Sequence, residues 1–253
     1  MSFKFQVISD LHLEMWSGNF PKIESLCDTL FLVGDIGNYR NSNFIEFLDY
    51  VSENWKQSFY ITGNHEYYKH VKEMADIKYK SILDKYDNIT LLNKDVGVVE
   101  LEGINIVGCT LWSSPIDSGI EGLNDFRYIK VKRSAKSVGR MNLQDITKWN
   151  KLDITFLKNS IVNSDKKKTI VMTHFMPILT DDLENSKYPS SQYDYYYGNE
   201  GLEELIEKCD VWLFGHTHDC CDQKIGKCRL IANACGYPNE ETGFQNNTYE
   251  LNL

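Results

Sequence analysis

The sequence predicts an α/β fold, with one mixed sheet or two sheets, in a single domain over residues 1–253. Three observations lead there. Short apolar, β-rich runs recur and each ends in small or polar residues: "FQVISD", "TLFLVGD", "SFYITGN", "KTIVMTH" and "DVWLFGH". Stretches with helical spacing lie between them, and two further segments read as antiparallel hairpins.

The five runs are unbroken hydrophobic segments, the pattern of strands buried on both faces. Helices are expected over Asn43 to Lys56, with Phe44, Phe47, Leu48, Val51 and Trp55 on one side, and over Val71 to Tyr86, with Met74, Ile77, Ile82 and Leu83. A third is expected from Arg140 to about Asn163, carrying Ile146, Trp149, Leu152 and Phe156. The hairpins are Val96 to Trp112, turning at Glu102 and Gly103, and Cys221 to Ala232, turning at Gly226 and Lys227. Residues Ser113 to Gly139 and Pro177 to Asn199 read as long connections of the kind that often carries specificity.

Composition narrows the function. A net charge of -9 argues against a surface that grips duplex nucleic acid. The seven cysteines are odd in number and contain no C-x-x-C, so neither a disulfide framework nor a zinc ribbon is expected. Without a cleaved leader or a bilayer-spanning apolar run, the expected compartment is the cytoplasm.

Five of the six histidines fall at or just beyond the ends of the five runs: His12, His65, His174, His216 and His218. Asp10, Asp35 and Asn64 join them. Parallel strand ends converge on one crevice, so these residues can meet across 200 positions of chain. Side chains two apart in an extended segment point the same way, which makes Asp10 with His12, and His216 with His218, natural chelating pairs. Carboxylate and imidazole without thiolate suit Mn, Fe or Zn and not calcium. With His65 set apart as surplus, the seven remaining candidate ligands exceed what one tetrahedral ion needs and fit two ions about 3.5 Å apart that share one carboxylate. His70 reads as a surface residue near a helix start, and Cys220 and Cys221 as strand thiols rather than soft ligands.

The order D-x-H, G-D, G-N-H-E, H, G-H-x-H resembles the calcineurin-like metallophosphoesterase superfamily across residues 10–218. The stretches "GCTLW", "NDFR" and "ANACGY" are similar to its small cytosolic bacterial and viral-type branch. The resemblance implies a four-layer αββα sandwich, two mixed sheets flanked by helices, with a dimetal site at the strand C-terminal ends. It implies Asp10, His12, Asp35 and His218 on one ion, with Asp35 bridging to a second held by Asn64, His174 and His216. Two divalent ions set against two carboxylates and a bridging hydroxide leave about one positive charge for a phosphate ester. Asn64 keeps that surplus, because an Asp there would cancel it.

The activity so implied is hydrolysis of a phosphodiester or phosphomonoester, nucleotides among the candidates, by in-line attack of the bridging hydroxide. His65, surplus to the ligand count, is the candidate general acid, with Asp10 or Asp35 as its candidate orienting group. Glu66 is expected to lie outside the ligand set and to buttress either a ligand or a following helix. Arg40 and Arg127, the arginines nearest the motifs, are the candidate phosphate contacts. The turn "GDIGNYR" lacks the second Asp of Ser/Thr protein phosphatases, Arg40 falls one place late, and Phe175 stands where the branch often has His. The tyrosines at 193 and 195–197 could stack on a base or pack on their own loop. A non-catalytic interaction module on the same fold is the reading from another class.

Overall fold

In the computed structural model, which describes residues 2–18, 20–113, 122–162, 167–179 and 194–253, all five apolar runs are strands. The strands in chain order are β1 (Ser2–Ile8), β2 (Thr29–Val33), β3 (Gln57–Ile61), β4 (Ile89–Leu91), β5 (Val99–Leu101), β6 (Ile104–Cys109), β7 (Lys130–Ser134), β8 (Ser137–Arg140), β9 (Lys168–Thr173), β10 (Val211–Phe214), β11 (Cys221–Ile225), β12 (Cys228–Ala232) and β13 (Tyr249–Asn252). The helices are α1 (Ser42–Asn54), α2 (Lys72–Leu83), α3 (Asn124–Tyr128), α4 (Leu143–Val162), α5 (Asp194–Tyr197) and α6 (Glu203–Ile206).

Two large mixed sheets result, flanked by helices. One runs β13-β1-β2-β3-β4 and the other β11-β12-β10-β9-β6-β5. In the first, β1 to β4 are mutually parallel and β13 is antiparallel to β1. In the second, β12, β10, β9 and β6 are parallel, and β11 and β5 close the edges as hairpin partners.

Alternation along each strand sorts its side chains between layers. Phe5, Val7, Phe31, Val33, Phe59 and Ile61 of the first sheet meet Ile106, Ile170, Met172, Leu213 and Ile231 of the second in one central cluster. The intervening Leu30, Leu32 and Tyr60 pack with Phe44, Phe47 and Tyr79 of α1 and α2. Val171, Trp212 and Phe214 pack with Leu157 of α4 and Ile206 of α6. Burying such a side chain contributes about 1.5–3 kcal/mol, so the strand ends are fixed by apolar layers on both faces.

Both predicted hairpins form, turning where Glu102 and Gly103 adopt φ of 51° and 81° and where Gly226 adopts 57°. The third helix starts later than its periodicity suggests, since Arg140 belongs to β8. Asn142 caps α4: its Oδ1 accepts from the Asp145 amide at 3.1 Å, and Asp145 Oδ2 accepts from the Asn142 amide at 2.9 Å. The connection from Ser113 to Gly139 carries α3 and the β7-β8 ribbon, whose largely exposed "KVKRS" gives no apolar signal. Of the second connection, 180–193 lies outside the described residues.

His70 is a correction. It sits just before α2 but is buried, stacked on Tyr39 at 4.2 Å and hydrogen-bonded through both ring nitrogens to the Tyr39 hydroxyl and Asn38 Oδ1, each at 2.9 Å. The cysteines are free thiols, and no helix among the described residues is long and apolar enough to cross a membrane.

At one end the sheets are joined. Ser9, just past β1, bridges Ala234, just past β12: its amide donates to Asn233 O at 3.2 Å and its carbonyl accepts from the Cys235 amide at 2.9 Å. All the motif segments leave their strands at this end.

Candidate metal centre

The motif loops interlock through the backbone. The Asp10 amide donates to Gly34 O at 3.0 Å, the His12 amide to Asp35 O at 2.9 Å and the Gly215 amide to His174 O at 3.0 Å. Asp10 also reaches the other sheet, its carboxylate accepting from the His216 amide at 3.0 Å.

Asp10, His12, Asp35, His216 and His218 all adopt left-handed backbone, with φ between 47° and 71°. Non-glycine residues avoid this region at a cost of about 1–2 kcal/mol each. Five such residues in one cluster indicate a geometry held for its side chains. They also correct the reason given above for convergence. Asp10 and His12 do come together, but through two left-handed turns and not through extended alternation. His216 and His218 are not a chelating pair, since they face different groups.

Three sets of ligand atoms lie within 4.8 Å of one another: Asp10, His12 and His218; Asp35, His174 and His216; and His12, Asp35 and His65. Asp35 is central, its Oδ1 3.4 Å from His174 Nε2 and its Oδ2 3.9 Å from His12 Nε2 and 4.0 Å from His65 Nε2. Asn64 Oδ1 lies 3.0 Å from His174 Nε2. The structure thus brings Asp10, His12, Asp35, Asn64, His65, His174, His216 and His218 to one place.

The ring nitrogens show what the cluster can hold. His174 Nδ1 donates to Val33 O at 3.0 Å, and His218 Nδ1 meets Glu240 Oε2 at 2.7 Å. An acceptor on Nδ1 keeps the proton there and leaves Nε2 as a lone pair, the form in which histidine binds metal. The Nε2 atoms of His12 and His218 converge to 2.9 Å, and His216 Nε2 is buried with no hydrogen-bond partner. A divalent cation fits this donor set. Burial works against charge on His174, but Asp35, Asp10 and the Val33 carbonyl together outweigh it and raise the imidazole to about 10, so the site draws positive charge even as protons.

His65 is oriented by Glu14, and not by Asp10 or Asp35 as expected. Glu14 Oε1 accepts from His65 Nδ1 at 2.9 Å and lies 3.6 Å from His12 Nδ1. Burial opposes protonation of His65, but Asp35 and then Glu14 raise it to about 9. Its Nε2 points to the open side, 3.4 Å from the Tyr237 hydroxyl.

Glu66 braces the site without facing it. Its Oε1 accepts from the Ile36 amide at 2.9 Å and the Tyr60 hydroxyl at 2.7 Å, and its Oε2 from the Asp35 amide at 3.0 Å and the Gly63 amide at 2.7 Å. Burial and then Asp35 raise this carboxyl to about 7, while Tyr60, His174 and the Gly63 amide oppose the rise. Glu66→Gln would turn an NH2 group toward buried donors. Urea unfolding of the metal-free protein should show a loss of about 2–4 kcal/mol; an unchanged midpoint and slope would mean the strap is dispensable.

A cleft of about 250 Å3 opens over the cluster, walled by Tyr68, Leu123, Asp125, Tyr196, Tyr197, Tyr237 and Glu240. Neither Arg40 nor Arg127 lines it. Both are exposed, Arg127 on α3, which corrects their expected place against phosphate. Phe175 is fully buried with its ring 4.1 Å from His216, so it packs behind the cluster and does not line the cleft. Tyr196 and Tyr197 lie 5.6 and 5.5 Å from the His216 ring; Tyr193 lies outside the described residues.

Glu14, Tyr68, Asp125, Tyr237 and Glu240 were not singled out from the sequence. A signal was present for three of them: Glu14 follows His12 by two positions, and Asp125 and Tyr237 stand in "NDFR" and "ANACGY".

A family model described as calcineurin-like phosphoesterase matches residues 3–220. "Uncharacterized protein L509" of Acanthamoeba polyphaga mimivirus is 29% identical over 269 residues, covering 96% of this chain and 94% of that protein. The phosphopantetheinyl hydrolase PptH of Mycobacterium tuberculosis shares the fold, with a TM-score of 0.68 and 16% identity over 93% of this chain and 90% of that one.

Proposed function

The chain belongs to the calcineurin-like phosphoesterase family, and from that premise we propose that it is a single-domain, cytoplasmic, dinuclear-metal-dependent hydrolase of small phosphate esters. The observation that carries this is the division of the ligand atoms into two groups with Asp35 between them, together with the partnerless His216 Nε2. Asp10, His12 and His218 would hold one ion and Asn64, His174 and His216 the other, with Asp35 shared. Manganese is the first candidate, iron and zinc the next. A bound pair of divalent ions would neutralise the phosphate and supply hydroxide at neutral pH.

The chain's own residues do the rest. Glu14 holds His65 Nδ1 so that Nε2 faces the cleft, where it gives a proton to the leaving oxygen. His65 also lies in reach of a ligand position beside His12 and Asp35. The general-acid role is preferred because seven other residues already complete two groups.

The cleft lining favours a diester over a monoester. Among the described residues it holds no lysine or arginine, while Asp125 and Glu240 add acid, so a dianion would find no cation beyond the metals. The tyrosine walls suit a substrate with a flat or apolar group, a nucleotide included.

The test is hydrolysis of bis(p-nitrophenyl) phosphate and p-nitrophenyl phosphate by protein stripped with chelator and reloaded with Mn, Fe or Zn. Turnover of the diester should exceed that of the monoester by about tenfold or more and vanish on stripping. Two bound ions with no turnover on any ester would instead favour the non-catalytic interaction module.

A further inference from the structure

Asp125 takes no part in the chemistry above, yet it is a buried carboxylate in the cleft wall, 1% exposed, in the first turn of α3. Its Oδ1 accepts from Asn64 Nδ2 at 2.9 Å and from the Tyr68 hydroxyl at 2.6 Å. The other end of the Asn64 amide, Oδ1, faces His174 Nε2. Asp125 Oδ1 already accepts the Tyr68 hydroxyl, so toward Asn64 it serves as an acceptor and takes the NH2 end of the amide. The carbonyl oxygen is thereby turned the other way.

We propose that Asp125 is a positioning residue that locks the Asn64 side chain with its oxygen toward His174 and the shared ligand site, and that this lock requires an amide at position 64. The proposal rests on Asn64 being a ligand. An Asp at 64 would set two buried carboxylates about 3 Å apart, where both cannot be ionised. The neutrality of Asn64 therefore has a local cause beside the charge balance of the centre. Tyr68 extends the lock. Its hydroxyl shares Asp125 Oδ1, and its ring stacks on His65 at 4.1 Å, so one carboxylate oxygen steadies both a ligand and the proton donor. Asp125 Oδ2 makes no close hydrogen bond and has the Tyr196 hydroxyl near it, a group that can either donate or accept, so an Asn at 125 could turn either end toward position 64.

The test is a charge transposition read by metal binding. Calorimetric titration of Mn into wild-type protein, Asp125→Ala, Asp125→Asn, Asn64→Asp and the double variant Asn64→Asp with Asp125→Asn would be compared, with circular dichroism to confirm folding. Asp125→Ala should weaken the second ion by about 10–100-fold and leave the first unchanged. Asp125→Asn should lose less, because its oxygen can still accept from Asn64. Asn64→Asp should lose as much as the alanine variant. The double variant should recover to within about tenfold of wild type, since the amide introduced at 125 can donate to the carboxylate introduced at 64.

Folded Asp125→Ala with undiminished second-ion affinity, or a double variant no better than Asn64→Asp, overturns the lock. Melting of the metal-free proteins separates this from failure of the metal reading. The double variant should regain most of the melting-temperature loss of Asn64→Asp whether or not an ion is present. Wild-type protein that takes up fewer than two ions overturns the dimetal reading, and with it the role of the lock.

Discussion

Replacing His65 with Ala should leave two ions bound and slow the hydrolysis of a diester with an alkyl leaving group by about 10²–10⁴-fold. The p-nitrophenyl diester should slow by less than about tenfold, because nitrophenolate departs without a proton. Retention of the metals follows from a backbone contact. The His65 amide donates to Asp35 Oδ1 at 2.8 Å, and alanine keeps that amide, so the shared carboxylate stays in place. Glu14 loses its closer partner and retains His12 Nδ1 at 3.6 Å. Equal losses on both esters with both ions present would sink the general-acid role. Loss of one ion would show that the third ligand group, with His12 and Asp35, is the one that matters.

Glu14 offers a graded version of the same argument. It bonds His65 Nδ1 at 2.9 Å and stands farther from His12 Nδ1, at 3.6 Å, so its removal should lower kcat on the alkyl ester by a larger factor than it lowers metal affinity. The direction of its own pKa agrees with that role. Burial would raise it, but the side chains of His12 and His65 bring it down to about 2, so it remains an anion across the working range.

How much of this was legible in the sequence differs by layer. The five buried strands and both hairpins were readable because burial on two faces leaves an unbroken apolar run, and because Glu102-Gly103 and Gly226-Lys227 are turn pairs. The residues that gather in the cluster were readable because each stands at the end of such a run. Their partners were not. Glu14, Asp125 and Glu240 are single acids in polar segments; the nearness of Glu14 to His12 and the place of Asp125 in "NDFR" flag the first two, but a single acid carries no periodicity to mark which histidine or amide it will face. The β7-β8 ribbon was invisible for a similar reason, since exposed Lys and Arg positions look like a loop. His70 misled in the other direction, as burial by Tyr39 and Asn38 comes from tertiary packing that no local pattern announces. The two-apart spacing of Asp10 and His12 gave a correct meeting from an incorrect geometry, because left-handed φ angles cannot be read from residue types that usually avoid them.

Gly63→Ala should abolish the centre while leaving the fold in place. A Cβ built on Gly63 would stand 2.7 Å from both the Asp35 amide and His174 Nε2, and it also meets Asp35 Oδ1. Real Cβ atoms do not approach heavy atoms so closely, and here neither neighbour can yield. Asp35 is tied by the amide of His65 and by Glu66, and His174 is tied by Val33 O. The Gly63 amide is itself held by Glu66, so the loop cannot retreat without breaking the strap described above. Overpacking of this kind costs about 1–3 kcal/mol of stability, a tolerable loss for a domain with three apolar clusters. The proposed metal centre has no such margin, because the atoms displaced belong to the carboxylate that the two ions would share and to an imidazole that would bind one of them. Mn affinity should fall by about 100-fold or more, with near-native circular dichroism and no ester turnover. Gly122→Ala, where the added carbon meets nothing among the described residues within 4 Å, controls for the substitution itself. Wild-type metal content in folded Gly63→Ala would mean that Asp35 and His174 move freely, and the two-group reading of the cluster would then lose its geometric basis.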